Sequence, residues 1–171
     1  TGSPLSEDGF KYVYRNIKKD VHLASISGGT DIVSCFVLGN LYQPVYSGEI
    51  QNKALGMDVR VFNENGQSVL NKKGELVCVN PFPSMPLKFW NDKNNKKFEN
   101  AYFNKFKNIW YHGDYAKITN KNGFIISGRS DTTLNPGGVR LGTAEIYSEI
   151  ERFNEIKESL VVGQSWDNDI R

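Results

Sequence analysis

Histidine and cysteine are scarce in this chain of 171 residues, with only two of each. His22, His112, Cys35 and Cys78 show no CxxC pair or other ligand spacing, so a structural zinc site is not expected. The two cysteines lie far apart in apolar runs. A chain of this size needs no disulfide staple, and both read as buried free thiols. No apolar run approaches the length needed to span a bilayer, and no secretory signal pattern opens the chain. Net charge is +2, too small an imbalance to imply nucleic acid unless the charge clusters on one face. Neither GxGxxG nor GxxxxGK[ST] occurs, so dinucleotide-binding and P-loop folds receive no support. Internal repeats and low-complexity stretches are also lacking.

What is present is the mixture of a globular protein. Hydrophobic residues make up 39% and aromatics 12%, enough for a packed core. The chain opens without an initiator methionine, at Thr1-Gly2-Ser3-Pro4-Leu5, and stops at Asp169-Ile170-Arg171. It reads as a piece of something longer.

Ser6, Glu7 and Asp8 are a helix start. Phe10, Val13, Tyr14 and Ile17 follow at helical spacing, which predicts a helix over 6–19. Residues 21–26 are apolar and partly β-branched, predicting a buried strand that runs into a Ser27-Gly28-Gly29-Thr30-Asp31 turn. From about residue 45 short β-like runs alternate with turn signals at Asn65-Gly66, Lys73-Gly74 and Asn122-Gly123. The runs are 58–62, 75–79, 115–119 and 124–127, a rhythm that fits a small antiparallel barrel or sandwich. Three prolines exclude residues 80–86 from a central strand. Residues 88–107 mix Lys, Asn and aromatics. They could stack on single-stranded nucleic acid, but Asp92 and Glu99 break the charge, favouring a solvated insertion whose rings bury. Ile146, Ile150 and Phe153 predict a helix capped by Thr143, and residues 160–162 a further strand.

Three polar patches could carry chemistry. Ser27-Gly28-Gly29-Thr30-Asp31 offers a hydroxyl and a carboxylate suited to a phosphate and its Mg²⁺, although a tight turn explains the same residues. Asp114, after His112-Gly113, could accept bonds from ribose hydroxyls, or be a turn residue or half of an ion pair. Arg129 and Arg140 bracket a glycine-rich loop, and guanidinium groups clamp phosphate.

Taken together these patches resemble the adenylate-forming superfamily of acyl-CoA synthetases, and within it the members that activate acetoacetate. The resemblance runs the length of the chain. It is carried by Ser27-Gly28-Gly29-Thr30-Asp31, by Gly74-Glu75-Leu76-Val77-Cys78 through Pro81-Phe82-Pro83-Ser84-Met85-Pro86 to Phe89-Trp90-Asn91-Asp92, by His112-Gly113-Asp114, and by residues 128–145.

The resemblance implies an α+β segment in three parts. Residues 1–44 would close an α/β sheet domain, 45–130 would form a small β-barrel-like subdomain, and 131–171 would hold a hinge and the truncated start of a small α+β C-terminal domain. It implies the substrates acetoacetate, ATP and CoA, passing through acyl-AMP, in the cytoplasm, with neither membrane nor nucleic acid as partner. Gly28, Gly29, Thr30, Asp114, Arg129 and Arg140 would bind nucleotide and Asp31 would ligate Mg²⁺. Asp131 would be the hinge, and Gly137 with Gly138 would line the CoA path. Gly28 would also open the acyl pocket, standing where acetate-activating relatives carry tryptophan. His112, where the family has threonine, reads as a structural turn residue. The phosphate loop and the catalytic lysine would lie outside these residues, leaving the piece inactive and its apolar surface open to self-association. Two alternatives stand beside this: a sibling ligase for another short acid, such as acetate or propionate, and a β-rich binding module without chemistry.

Overall fold

The computed structural model describes residues 4–131, 134, 142–150, 152–166 and 169–170. It is α+β, as the sequence implies. The opening helix α1 (Glu7–Tyr12) is capped by Ser6, whose hydroxyl accepts from Gly9 N at 3.2 Å. Glu7 and Asp8 lie in its first turn, where the helix dipole favours acids. The helix widens into a π-helical turn, Val13–Ile17. Of the predicted apolar face only Phe10 is buried, and Ile17 is 68% exposed, so the helix is shorter and less amphipathic in use than its spacing suggests.

The predicted strand over 21–26 does not form. Val21 and Ile26 are exposed and pair with no strand among the described residues. An apolar run becomes a buried strand only when a sheet receives it, and here the first ladder begins one residue later. Strand β1 (Ser27–Gly29) pairs antiparallel with β2 (Ser34–Leu38), which pairs with β3 (Asn52–Lys53). The glycines expected in a turn are thus strand residues, and the turn itself is closed by Val33 N donating to Thr30 O at 3.1 Å.

The second sheet, in order β4-β5-β6-β7, is antiparallel throughout: β4 (Val59–Phe62), β5 (Gly74–Cys78), β6 (Trp110–Ile118) and β7 (Phe124–Arg129). Gly74, expected in a turn, opens β5 and lets its backbone close on Phe62 O; a Cβ there would lie 2.3 Å from that oxygen. Asn122, at φ +62°, makes the β6–β7 hairpin as Asn122-Gly123 predicted. Ile50, two residues before β3, and Phe124, the first residue of β7, exchange backbone bonds of 2.7 and 2.8 Å and bring the segment leading into β3 of the first sheet onto the second.

One main core fills the wrap, from Ile32 and Phe36 through Val59, Val61 and Leu76 to Phe124. Trp110 is its centre. Tyr102 stacks on it with centroids 3.7 Å apart, and Phe82, Phe98 and Phe103 meet it edge-on at 5.3–6.0 Å. Cutting such a side chain to alanine costs about 3–5 kcal/mol. Most of these rings come from the 88–107 segment, which contains α2 (Lys96–Tyr102) and turns Phe98, Tyr102 and Phe103 inward, whereas its lysines face out and Trp90, against the expectation that the rings bury, is 91% exposed.

Helix α3 (Thr143–Ile150) lies against β7. Its cap is Gly142 rather than Thr143: Glu145 reaches back to accept from Gly142 N at 3.1 Å, half of a capping box. Lys73 then ties Glu145 to the sheet. The strand expected over 160–162 is absent. Leu160 and Val162 are exposed, and Val161 N donates to the Tyr147 hydroxyl at 2.9 Å, a side-chain bond that replaces a ladder partner. A short antiparallel pair, β8 (Ser165–Trp166) with β9 (Asp169–Ile170), follows. Cys35 and Cys78 are free, as expected, but only Cys78 is buried and Cys35 is half-buried; desolvation pushes both thiols up from their ordinary value.

Candidate functional site

Strand register brings the distant patches together. Asp114 does not open a strand, as its flanking residues suggested, but sits in the middle of β6 directly opposite Arg129 on β7. A bulge between Asp114 and Ala116 breaks the ladder at this point. Gly113, at φ +82°, allows the turn of backbone, and Arg129 covers it closely, with Nη2 only 2.8 Å from where a Cβ would stand.

Arg129 organises the charges. Its Nη1 donates to His112 O at 3.2 Å and to Asp114 Oδ1 at 3.3 Å. Its Nε donates to Asp131 Oδ1 at 2.9 Å, and Nη2 bonds Asp131 Oδ2. This fork geometry is the reason for arginine rather than lysine. It holds the Asp131 carboxyl below its ordinary value, against the opposite push of partial burial. Asp114 is raised instead, because burial outweighs the pull of His112 and Arg129. Ser130 is fixed twice, by its N–H to Gly113 O at 2.7 Å and by its hydroxyl to Tyr111 at 2.8 Å. Tyr111 in turn lies under Lys105, which pairs with the buried Glu75.

His112 joins this array to the first patch. It is a buried strand residue, not a turn residue, 7% exposed. Its Nε2 lies 3.1 Å from Gly28 O, while Trp110 Nε1 donates to Nδ1 at 3.5 Å. Those partners require a neutral ring with the proton on Nε2. Burial keeps it neutral, lowering its pKa despite Asp114 Oδ2 at 3.7 Å.

The glycines of the first patch are shaped by contact. A Cβ on Gly29 would stand 2.6 Å from His112 Cε1, and one on Gly28 would stand 2.2 Å from Ser34 O. Gly28 therefore serves the bulged approach of β1 to β2, and a side chain in the direction of its Cβ would enter β2 backbone. The turn beyond carries Thr30 and Asp31, both exposed. Val33 closes it at φ +48°, a left-handed conformation that costs a β-branched residue about 1–3 kcal/mol. Asp31 Oδ2 accepts from the Tyr102 hydroxyl. Burial and then this carboxylate raise the Tyr102 pKa, so the phenol keeps its proton.

Gly28, Gly29, Asp114, Arg129 and Asp131 thus form one connected surface, with Thr30 and Asp31 on the adjoining turn. Arg140, Gly137 and Gly138 lie outside the described residues. Among the described residues no group of three or more acidic, His or Cys side chains could hold a metal by itself, and no helix is long and apolar enough to cross a membrane. Clefts of about 220 Å³ beside Lys121 and Tyr46 and about 280 Å³ beside Phe10 and Tyr14 lie elsewhere. Sequence reasoning missed Tyr102, Tyr111 and His112 as partners. Their signal, aromatics beside polar motifs, is visible only once register is known.

No protein-family model matches the chain. Curated relatives do. Acetoacetyl-coenzyme A synthetase of Rhizobium meliloti is 59% identical over 171 residues, covering 100% of this chain and 26% of that protein. The Xenopus tropicalis acetoacetyl-CoA synthetase is 54% identical over 165 residues, covering 96% and 25%. A solved acetoacetyl-CoA synthetase from Streptomyces lividans superposes with a TM-score of 0.83 at 43% identity, over 95% of this chain and 25% of that one. An anthranilate CoA ligase bound to anthranoyl-AMP shares the fold alone, at TM-score 0.69 and 18% identity over 90% of this chain. The chain spans about a quarter of the length of the curated relatives it matches.

Proposed function

We propose that this segment, akin along its whole length to the acetoacetyl-CoA synthetases, supplies the adenosine side and the hinge of an AMP-forming acid–thiol ligase. In that reaction the acid attacks the α-phosphate of ATP, giving acyl-AMP and pyrophosphate. The CoA thiolate then displaces AMP to give the thioester. The observation that carries the proposal is the convergence of residues 27–31, 112–114 and 129–131 through His112 and Arg129.

Within that reading Asp114 accepts from the ribose hydroxyls, with Arg129 holding one of its oxygens in place. Gly28, Gly29 and Thr30 present backbone and hydroxyl to the phosphate, and Arg140 lies near the phosphates. Asp131 is the pivot, clipped to Arg129 in this conformation, and Gly137 with Gly138 belongs to the CoA path. Residues 1–44, 45–130 and 131–171 are then the end of the large domain, its β subdomain, and the start of the small domain. Asp31 suits Mg²⁺, because that ion is held by one or two carboxylates together with substrate phosphates and water rather than by an all-protein cage. Bound there, Mg²⁺ would neutralise phosphate charge.

Acetoacetate is the favoured acid on the kinship with acetoacetyl-CoA synthetases. A cytoplasmic location suits ATP and CoA as substrates. Exposed Tyr42, Leu55, Leu87 and Trp90 support self-association of the segment by itself. The test is ATP–pyrophosphate exchange by the intact ligase across acetoacetate, acetate, propionate and butyrate. Preference for acetoacetate, with ATP use weakened by Arg129→Ala, supports the proposal. Equal use of acetate favours the sibling ligase, and an unchanged ATP dependence counts against Arg129.

A further inference from the structure

We infer that Tyr102 is the positioning residue for Asp31. Its hydroxyl holds one carboxylate oxygen so that the other is presented to the cation accompanying the nucleotide phosphates. The inference rests on the assignment of Asp31 to that cation made above, and adds a residue from a part of the chain with no other claim on the site.

Asp31 by itself is poorly fixed. It stands exposed on the turn that joins β1 to β2, and Tyr102 is its one hydrogen-bond partner among the described residues. Ile32 anchors the turn in the core, fully buried, while Val33 beside it is 89% exposed and left-handed. Neither contact reaches the carboxylate. Without a donor the side chain would turn freely about its χ angles, and a cation would have to order it on binding.

Tyr102 is the opposite case. It ends α2, 71 residues away in sequence. Its ring lies flat on Trp110, 3.7 Å between centroids at an interplanar angle of 14°, and Phe89 and Phe98 close on it edge-on at 6.0 and 5.9 Å. A ring held on several sides has one orientation, so its hydroxyl is a donor at a fixed point. A phenol donates and a carboxylate oxygen accepts, so the bond fixes Asp31 through Oδ2, and Oδ1 has no hydrogen-bond partner among the described residues. Partners of this kind to a metal-binding carboxylate are worth about 10–100-fold in metal affinity. The inserted segment 88–107 therefore has a purpose beyond covering the core: it carries the residue that presents Asp31.

The test uses the intact ligase with Mn²⁺ as probe, titrated in the presence of ATP and followed by water-proton relaxation, alongside AMP binding without metal. Tyr102→Phe keeps the ring and its stack while removing the donor. The expected result is Mn²⁺ affinity about 10-fold weaker or more, with AMP affinity and the thermal midpoint unchanged. If Asp31→Asn weakens Mn²⁺ binding and Tyr102→Phe does not, the positioning role is wrong and the assignment of Asp31 stands. If neither variant alters it, the assignment of Asp31 fails and the positioning role with it. Equal weakening of metal-free AMP binding by Tyr102→Phe would make the residue a general support of the fold and overturn the inference.

Discussion

His112 Nε2 lies 3.1 Å from Gly28 O, and this one contact joins the β1 edge of the first sheet to the strand that carries Asp114. It works because the ring is neutral: Trp110 occupies Nδ1, and the proton on Nε2 faces the carbonyl. The candidate nucleotide surface therefore draws on both sheets, bridged by a buried imidazole, with Arg129 holding Asp114 and Asp131 beside it.

Glycine is required where the ring and the strands come closest. Gly29→Ala places a methyl 2.6 Å from His112 Cε1 and Gly28→Ala one 2.2 Å from Ser34 O. Overpacking of this kind costs about 1–3 kcal/mol. Gly28→Ala should be the worse, because backbone yields less than a ring. Chemical denaturation of the two variants checks the order, and equal stability to wild type would contradict the packing account.

Acid should erode stability early. His112 has its folded pKa lowered by burial from the usual 6.5. Below about pH 6.5 the unfolded chain binds a proton that the folded one refuses, so stability falls with pH until the folded pKa is reached. One such proton gives a slope of at most about 1.4 kcal/mol per pH unit. Asp114, raised by burial, acts in the opposite sense, its contribution growing as pH falls toward its unfolded value. His112→Phe should flatten the slope just below pH 6.5 and cost about 1–3 kcal/mol at neutral pH by stranding Gly28 O. Denaturant melts across pH 5–7.5 measure both, and an unchanged slope would refute the neutral buried imidazole.

The hinge and the clamp should separate kinetically. In the intact ligase Asp131→Pro is expected to spare adenylation and impair thioester formation. Equal loss of both half-reactions would rule out the pivot. Arg129→Ala releases Asp114 and Asp131 together, and should raise the ATP concentration needed for the first half-reaction by about 10-fold or more, the loss of a charged hydrogen bond.

Much of this was legible from residues alone, and the exceptions share a cause. The strands at 58–62, 75–79 and 124–127 announced themselves by β-branched runs between Asn-Gly turns. The predictions at 21–26 and 160–162 failed because apolar, β-branched composition says nothing about whether a partner strand is present. Asp114, Arg129 and Asp31 could be picked out as polar residues beside glycines. Their partners could not, because Tyr102 reaches Asp31 and Tyr111 reaches Ser130 only through packing and register, separations of 71 and 19 residues. The resemblance to a family supplied roles; the geometry supplied the connections among them.

The 171-residue chain should not catalyse adenylation by itself, because the residues proposed for it bind and pivot but none transfers a group. Detectable ATP–pyrophosphate exchange by the isolated chain would contradict this.

The most direct test of the shared nucleotide surface is titration of the isotopically labelled chain with AMP, followed by amide chemical shifts. The account predicts saturable shifts gathered at Gly28–Thr30, His112–Asp114 and Arg129–Asp131, all lost together in Asp114→Asn. Shifts confined to one patch, or none that saturate, would contradict it.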